Sequence, residues 1–268
     1  MRVFRVALES GDETYATSRE GDFYRCEGDL TTGFVGTDEE IQVASVLAPI
    51  ALGSTLFAIG LNYREHAMEM NQPLPDFPVV TMKSPSAVIG TGEPILLPRA
   101  LRSEQVDFEA ELAIVIGKRC KNASVKEALS YVAGFTVAND VSARDWQKIY
   151  SGGQWCKGKG FDTFCPLGPL LVTPDSIGDP NNLHISSRLN GETFQDSSTS
   201  DLIFPVEDLI VFLSGSTTLL PGTVILTGTP PGVGTARNPP RFLKPGDTVE
   251  IEIEGIGVLR NPVEEENI

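Results

Sequence analysis

Between Val106 and Ile116 the chain reads VDFEAELAIVI, and every even-numbered residue in this stretch is apolar. The odd positions begin Asp107, Glu109, Glu111 and then turn to Ala113 and Val115. A period of two is that of a β-strand, in which side chains on one face recur about every 6.5–7 Å. The spacing therefore predicts a strand over 106–116 that carries three acids on one face. Carboxylates sit poorly in strands, and this face becomes apolar immediately after Glu111, so the acids border a buried layer. A chain built around such a strand needs partner strands, and it needs something to offset buried negative charge.

The rest of the sequence supplies the partners. Residues 1–50 read as a small N-terminal β domain, with short strands in RVFRVAL, ETYATS and DFYRC turned at Gly11-Asp12 and Gly21-Asp22. Pro49–Ser54 reads as a link, and 55–268 as the main domain. Ser124–Val132 is predicted as a helix, from a capping box of Ser124 and Glu127, an apolar stripe of Val125, Leu129 and Val132, and a stop at Gly134. Phe135–Asn139 reads as a strand ending at Asp140, followed by a helical turn bearing Ser142, Arg144, Asp145 and Gln147. VEDLIVFLS reads as a helix, TVILTG and TVEIEIEG as strands. The fold class expected is α+β and β-rich. At 268 residues the chain can bury roughly 75% of its unfolded surface, and it needs neither disulfide nor metal to fold.

Charge and composition narrow the function. Acids outnumber bases 36 to 21, for a net charge of −15, and the one basic cluster, Lys118, Arg119 and Lys121, lies in a turn. No nucleic-acid partner is expected. No apolar run is long enough for a membrane helix, so no membrane partner is expected either. The N-terminal twenty residues lack an apolar targeting core, and the location expected is cytoplasmic. The four cysteines form no C-x-x-C pair, and with only His66 and His184 a histidine-rich zinc site is excluded.

Glu109, Glu111 and Asp140 make an all-oxygen donor set suited to Mg²⁺, with Mn²⁺ or Ca²⁺ as alternatives. Lys159 stands between Gly158 and Gly160, which let backbone approach a ligand closely. His66 and Glu69 are three apart, so on a helix the carboxylate can orient the imidazole. Thr229 lies in the loop TGTPPGVG after a buried apolar run. Taken singly, each of these has an ordinary alternative: a solvated strand face, a surface lysine, an exposed helical pair, a rigid turn.

The order of the motifs resembles the fumarylacetoacetate hydrolase superfamily. GLNYREHAMEM, DFEAELAIVIGK, ANDVSARDWQ, KGKGFDTFCPLGP and LTGTPPGVG are each similar to a segment of that family, in the same order, from about residue 55 to 263. Three of these segments most resemble the branch of domain-containing proteins linked to oxaloacetate. The resemblance implies a mixed β-sandwich roll with a small N-terminal domain, a homodimer and a divalent cation. It places the metal ligands at Glu109, Glu111 and Asp140, the active-site lysine at Lys159, substrate contacts at Gln147 and Thr229, and a lid dyad at His66 and Glu69. Where fumarylacetoacetase has a tyrosine four residues beyond the position of Gln147, this chain has Ser151, with Tyr150 beside it. The substrate class implied is an enolisable 2-oxo acid, its 1-carboxylate and 2-oxo oxygen chelated by Mg²⁺. Lys159 would then stabilise charge on the oxygen, and His66 would act as general base. The expected reaction is hydrolytic C–C cleavage of an acylpyruvate-type substrate. Oxaloacetate keto–enol tautomerisation or decarboxylation is the alternative, and a non-catalytic metal-binding protein the remote one. The segment 63–78 is expected to be mobile without ligand and to close over it.

Overall fold

The computed structural model describes residues 1–268. Five strands open the chain: β1 (Arg2–Leu8), β2 (Glu13–Arg19), β3 (Asp22–Asp29), β4 (Gly33–Ile41) and β5 (Val43–Leu47). Then come β6 (Leu56–Gly60), the short helix α1 (Arg64–Glu69), β7 (Val79–Lys83), β8 (Val88–Ile89) and β9 (Ile95–Leu97). The acidic strand forms β10 (Val106–Asp107) and β11 (Ala110–Ile116), followed by β12 (Val132–Asn139), β13 (Ser142–Ala143), α2 (Arg144–Lys148) and α3 (Cys156–Lys159). The remainder is β14 (Cys165–Val172), α4 (Pro174–Ile177), β15 (His184–Leu189), β16 (Glu192–Ser198), α5 (Val206–Ser214), β17 (Val224–Leu226), β18 (Thr248–Ile253) and β19 (Gly257–Glu265).

These strands build a mixed β-sandwich roll. The large sheet runs β4-β3-β2-β1-β14-β12-β11-β17-β6-β7, and a second sheet runs β16-β15-β18-β19-β9. β11, β12 and β14 pack against β15, β18 and β19 of the second sheet. β11 is buried along its whole length because it has sheet partners on both edges, β12 and β17, and the second sheet across its face. The N-terminal strands join the large sheet through two residue pairs between β1 and β14, and keep a separate small cluster of Val6, Ala16 and Ile41. We propose on that basis that 1–50 is a unit of its own beside a domain spanning 55–268.

Three local expectations are corrected. The strand 106–116 is interrupted at Phe108 and Glu109, because side chains take the backbone donors there. The amide of Phe108 goes to Asp107, that of Glu109 to the Asn139 side chain, and that of Ala110 to Gln195. The helix expected at Ser124–Val132 is a turn followed by one 3-10 turn, Ala128–Tyr131. Val125 is 55% exposed, and the Ser124 hydroxyl bonds the Glu127 carboxylate instead of a backbone amide. With little apolar face to bury and no cap, so short a helix has nothing to sustain it. Gly134, expected to stop that helix, lies inside β12, where a Cβ would stand 2.6 Å from the Leu171 side chain and 2.7 Å from the Val172 carbonyl. Glycine is required there by the closeness of β14. Gly134→Ala should cost about 1–3 kcal/mol through overpacking, read as a lowered midpoint in urea unfolding with an unchanged m-value.

Candidate active site

The site lies where β11, β12, α2 and α3 converge beneath α1. Glu109 directly precedes β11, Glu111 is its second residue, and Asp140 directly follows β12, which pairs with β11. The register sets Ala110 opposite Asn139, and this brings the three acids together. One carboxylate oxygen from each lies within 4.8 Å of the others, and all three residues are buried.

Their partners form a line of alternating charge. The Arg144 guanidinium donates to Asp107 at 2.8 Å and to Glu109 at 2.7 Å. The Lys159 ammonium donates to Glu109 at 2.9 Å, to Asp140 at 2.5 Å and to the Ser142 hydroxyl at 2.8 Å. Lys83, which ends β7, donates to the other Asp140 oxygen at 2.5 Å and to the Val141 carbonyl at 3.1 Å. Asp107, Arg144, Glu109, Lys159, Asp140 and Lys83 therefore balance, three anions against three cations. Burial alone would raise the pKa of Glu109, but the Lys159 ammonium and the Arg144 guanidinium outweigh it and hold the carboxyl well below its ordinary range. Burial likewise opposes the charge on Lys159, yet Asp140 and Glu109 raise its pKa above that of a free lysine.

Glu111 is left outside this balance. It has no cationic partner, and its one hydrogen bond comes from the Gly228 amide at 2.6 Å. Burial, then the Asp140 and Glu109 carboxylates, push its pKa well above the ordinary value. A hard divalent cation is what this arrangement fits: three converging oxygen donors, no sulfur or nitrogen, and one excess buried negative charge.

Above the acids is a cavity of about 250 Å³. His66, Glu109, Glu111, Gln147, Lys159 and Thr229 all line it, so seven of the eight residues singled out from sequence are placed at or beside one pocket when the partner of His66 is included. The eighth, Asp140, lies at its floor through Lys159. The imidazole Nδ1 of His66 lies 2.9 Å from Glu69, which leaves Nε2 for the pocket. Glu69 in turn accepts from the Gly232 amide at 2.8 Å. Of the segment expected to be a mobile lid, 63–78, the helix α1 is docked in this structure and the loop after it is mostly exposed. Asp201 accepts from the Glu65 amide and so caps α1 from a distant part of the chain, while Arg64 donates to the Asp201 carbonyl. Gln147 accepts from Arg144 at 3.0 Å, and Thr229 donates to the Ala110 carbonyl at 2.9 Å. Ser151 bonds the Gln147 carbonyl and Tyr150 packs on Trp146, so neither replaces the missing tyrosine in the pocket.

Three charged residues here carried no assignment in the sequence reading. Arg144 lies three residues before Gln147, on the same helical face, and that spacing was available. Asp107 shares the face of Glu109 and Glu111 in the period-two pattern, but it turns to Arg144 and to the amides of Gly234 and Thr235. Lys83 gave no signal, because its partner is 57 residues away in sequence. The cysteines divide: Cys26, Cys120 and Cys165 are buried, whereas Cys156 is exposed.

A β-sandwich roll with a buried acid triad and a His–Glu pair over it defines a class of small-molecule enzymes, and sequence comparison gives that class its name. Residues 55–264 match the model of the fumarylacetoacetate (FAA) hydrolase C-terminal domain, and the chain belongs to the fumarylacetoacetate hydrolase family. It is 52% identical over 217 residues to a Bos taurus protein named oxaloacetate tautomerase FAHD2A, mitochondrial, covering 81% of this chain and 68% of the relative. The Homo sapiens protein of the same name is 51% identical over 217 residues, with the same coverage. A solved structure titled 2-hydroxyhepta-2,4-diene-1,7-dioate isomerase, from Mycobacterium marinum, superposes with a TM-score of 0.85 at 38% identity and covers 100% of both chains. The expected cytoplasmic location is overturned by the names of these relatives, which are mitochondrial. No helix of the structure is long and apolar enough to cross a membrane.

Removing the excess charge tests the cation assignment. An acid whose pKa rises on folding supports the fold below its ordinary value of 4.5 and costs stability as pH climbs past it. Glu109, lowered instead, contributes above its ordinary range and is lost only at more acid pH. Chelator-treated protein should therefore lose stability from about pH 5 toward neutral, and Glu111→Gln should flatten that loss and raise the melting temperature. Mg²⁺ should raise the melting temperature of wild type and leave the variant unmoved, which thermal unfolding with and without chelator checks.

Proposed function

We propose that this enzyme is a divalent-cation-dependent oxaloacetate keto–enol tautomerase. The observation that carries the reading is the half-identity to relatives named for that activity over 81% of this chain, and every pocket residue lies within the matched family domain, 55–264. Glu109, Glu111 and Asp140 would hold the cation, with Mg²⁺ favoured by the all-oxygen donor set and Mn²⁺ or Ca²⁺ as substitutes. When bound, the cation supplies Lewis-acid polarisation of the 2-oxo carbonyl.

The chain's own residues do the rest. His66, held through Nδ1 by Glu69, presents Nε2 to remove a proton from C3. As the C3–H electrons form the C2–C3 double bond, charge moves to the 2-oxygen, and the Lys159 ammonium, its three N–H groups given to Glu109, Asp140 and Ser142, stabilises it through space. The imidazolium returns a proton to that oxygen in one direction and to C3 in the other, so no co-reactant is consumed. Hydrolytic C–C cleavage of an acylpyruvate, the reaction first expected, would need a water directed at the distal carbonyl, with the same enolate released as the C–C bond breaks. Tyr150 and Ser151 offer a longer tail no contact in the cavity.

The enzyme would act as a homodimer. In support, β7 is the edge of the large sheet and exposes Val80 and Met82, and the exposed Phe77 stacks on Phe212 nearby, an apolar surface of the kind that joins subunits. Light scattering on the purified protein would give one subunit mass if this is wrong.

The test of the reaction is a pair of assays with Mg²⁺. Enol-oxaloacetate should relax to the keto form faster with enzyme, followed by loss of enol absorbance, while acetylpyruvate should release no pyruvate. Pyruvate release without faster relaxation would establish the hydrolase reading instead. His66→Ala should lower the tautomerisation kcat by roughly 10²–10⁴-fold. Lys159→Met should cost on the order of 3 kcal/mol in kcat/KM, and it should also weaken cation binding, because the same ammonium anchors Glu109 and Asp140.

A further inference from the structure

Every cation around the acid triad is already engaged. Lys83 is held by Asp140 and Val141, Lys159 by Glu109, Asp140 and Ser142, and Arg144 by Asp107, Glu109 and Gln147. Lys148 is the exception. It lines the same cavity, yet its side chain makes no hydrogen bond and no ion pair. Arg144, Gln147 and Lys148 share one face of α2 and run from floor to mouth, the first two buried and Lys148 exposed. Desolvation, then the Arg144 guanidinium, lower the lysine's pKa, against the opposing pull of the Glu109 and Asp107 carboxylates deeper in the site.

The outer wall limits what can reach this residue. Trp155 packs so closely on Gly60 that a Cβ there would lie 2.4 Å from its ring, and both residues line the cavity. At about 250 Å³ the space falls short of the roughly 300–1,000 Å³ of pockets for drug-sized ligands. A ligand anchored at the triad must therefore be short, and α2 sets its far end beside an unpaired positive charge.

We propose that Lys148 is a specificity-determining residue that takes the distal carboxylate of a short 2-oxo dicarboxylic acid whose 1-carboxylate and 2-oxo group lie at the triad. This rests on the reading of the triad as the cation-chelating, 2-oxo acid end of the pocket. It adds the reason a dicarboxylate is preferred over a monoanionic acid of similar length.

Two probes separate the ends of the pocket in the Mg²⁺-loaded enzyme. Oxalate copies the chelating end alone. 3,3-Difluorooxaloacetate has both ends and no C3 proton to lose. Isothermal titration should show Lys148→Met weakening difluorooxaloacetate by roughly 10–100-fold, the range of a hydrogen bond to a charged group, with oxalate binding unchanged. Lys148→Arg should restore most of the loss. Equal dicarboxylate affinity in wild type and Lys148→Met overturns the assignment, and so does a matched loss of both ligands, which would report a disturbed α2. If oxalate fails to bind wild type, the triad reading itself falls and takes this proposal with it. If oxalate binds and the dicarboxylate gains nothing over it, only Lys148 is refuted.

Discussion

Asp140 is held between two ammonium groups, Lys83 on one oxygen and Lys159 on the other, in a region that excludes water. Taking such charges out of water costs several kcal/mol per ion unless each finds a partner in good geometry. The cost is met by a chain of six groups in which every anion touches a cation. Its members come from β7, β10, α2 and α3 and from the residues that flank β11 and β12, so the sheet order and the site are one construction. Displacing β7 would leave Asp140 half-neutralised, and displacing α3 would leave both Asp140 and Glu109 short of a partner. Glu111 is the one carboxylate that the protein does not neutralise. The stable core of the site is thus also what makes it fit a cation.

The upper wall is tied down by different means. Gln195, in the second sheet, accepts from the Ala110 amide and the Ser187 hydroxyl, and donates to Thr229 and the Pro230 carbonyl. One side chain thereby fixes the start of β11 and the loop over it. The same loop bonds Glu69 through Gly232, whose φ of +103° and closeness to the Phe194 carbonyl exclude any side chain. The orientation of the His66 ring therefore depends on the second sheet, through Glu69, the loop and Gln195. A helix of six residues, too short to persist alone, holds its place by these contacts and by the cap from Asp201.

What the sequence disclosed follows the range of the interactions involved. The two-residue alternation of 106–116 is a local property and located the central strand, and Glu109 and Glu111 with it. The break at 108–109 was hidden because Asn139, which captures the Glu109 amide, and Gln195, which captures that of Ala110, are distant in sequence. The misplaced helix at 124–132 satisfied a local pattern, but burial decides such cases and Val125 faces solvent. Motif order located His66, Lys159, Gln147 and Thr229, each of which the structure places at the pocket. Lys83 escaped, since a lysine that closes an apolar strand has the same local pattern whether its ammonium meets water or a buried aspartate.

The net charge of −15 bears on how an anionic substrate can be held at all. At physiological ionic strength surface charges act over about 8 Å, so the acidic exterior weakens the approach of a dianion without deciding its affinity. Affinity is decided inside the cavity, where screening is weak and fixed charges count most. There the six-membered chain is neutral, Glu111 is in excess, and a divalent cation would leave the floor with a single positive charge. One positive charge matches one end of a dicarboxylate. The other end needs a second, and the only uncommitted cation lining the cavity is Lys148. On the proposed reading, charge balance divides the pocket into a chelating floor and a lysine mouth, and a short 2-oxo diacid would satisfy both.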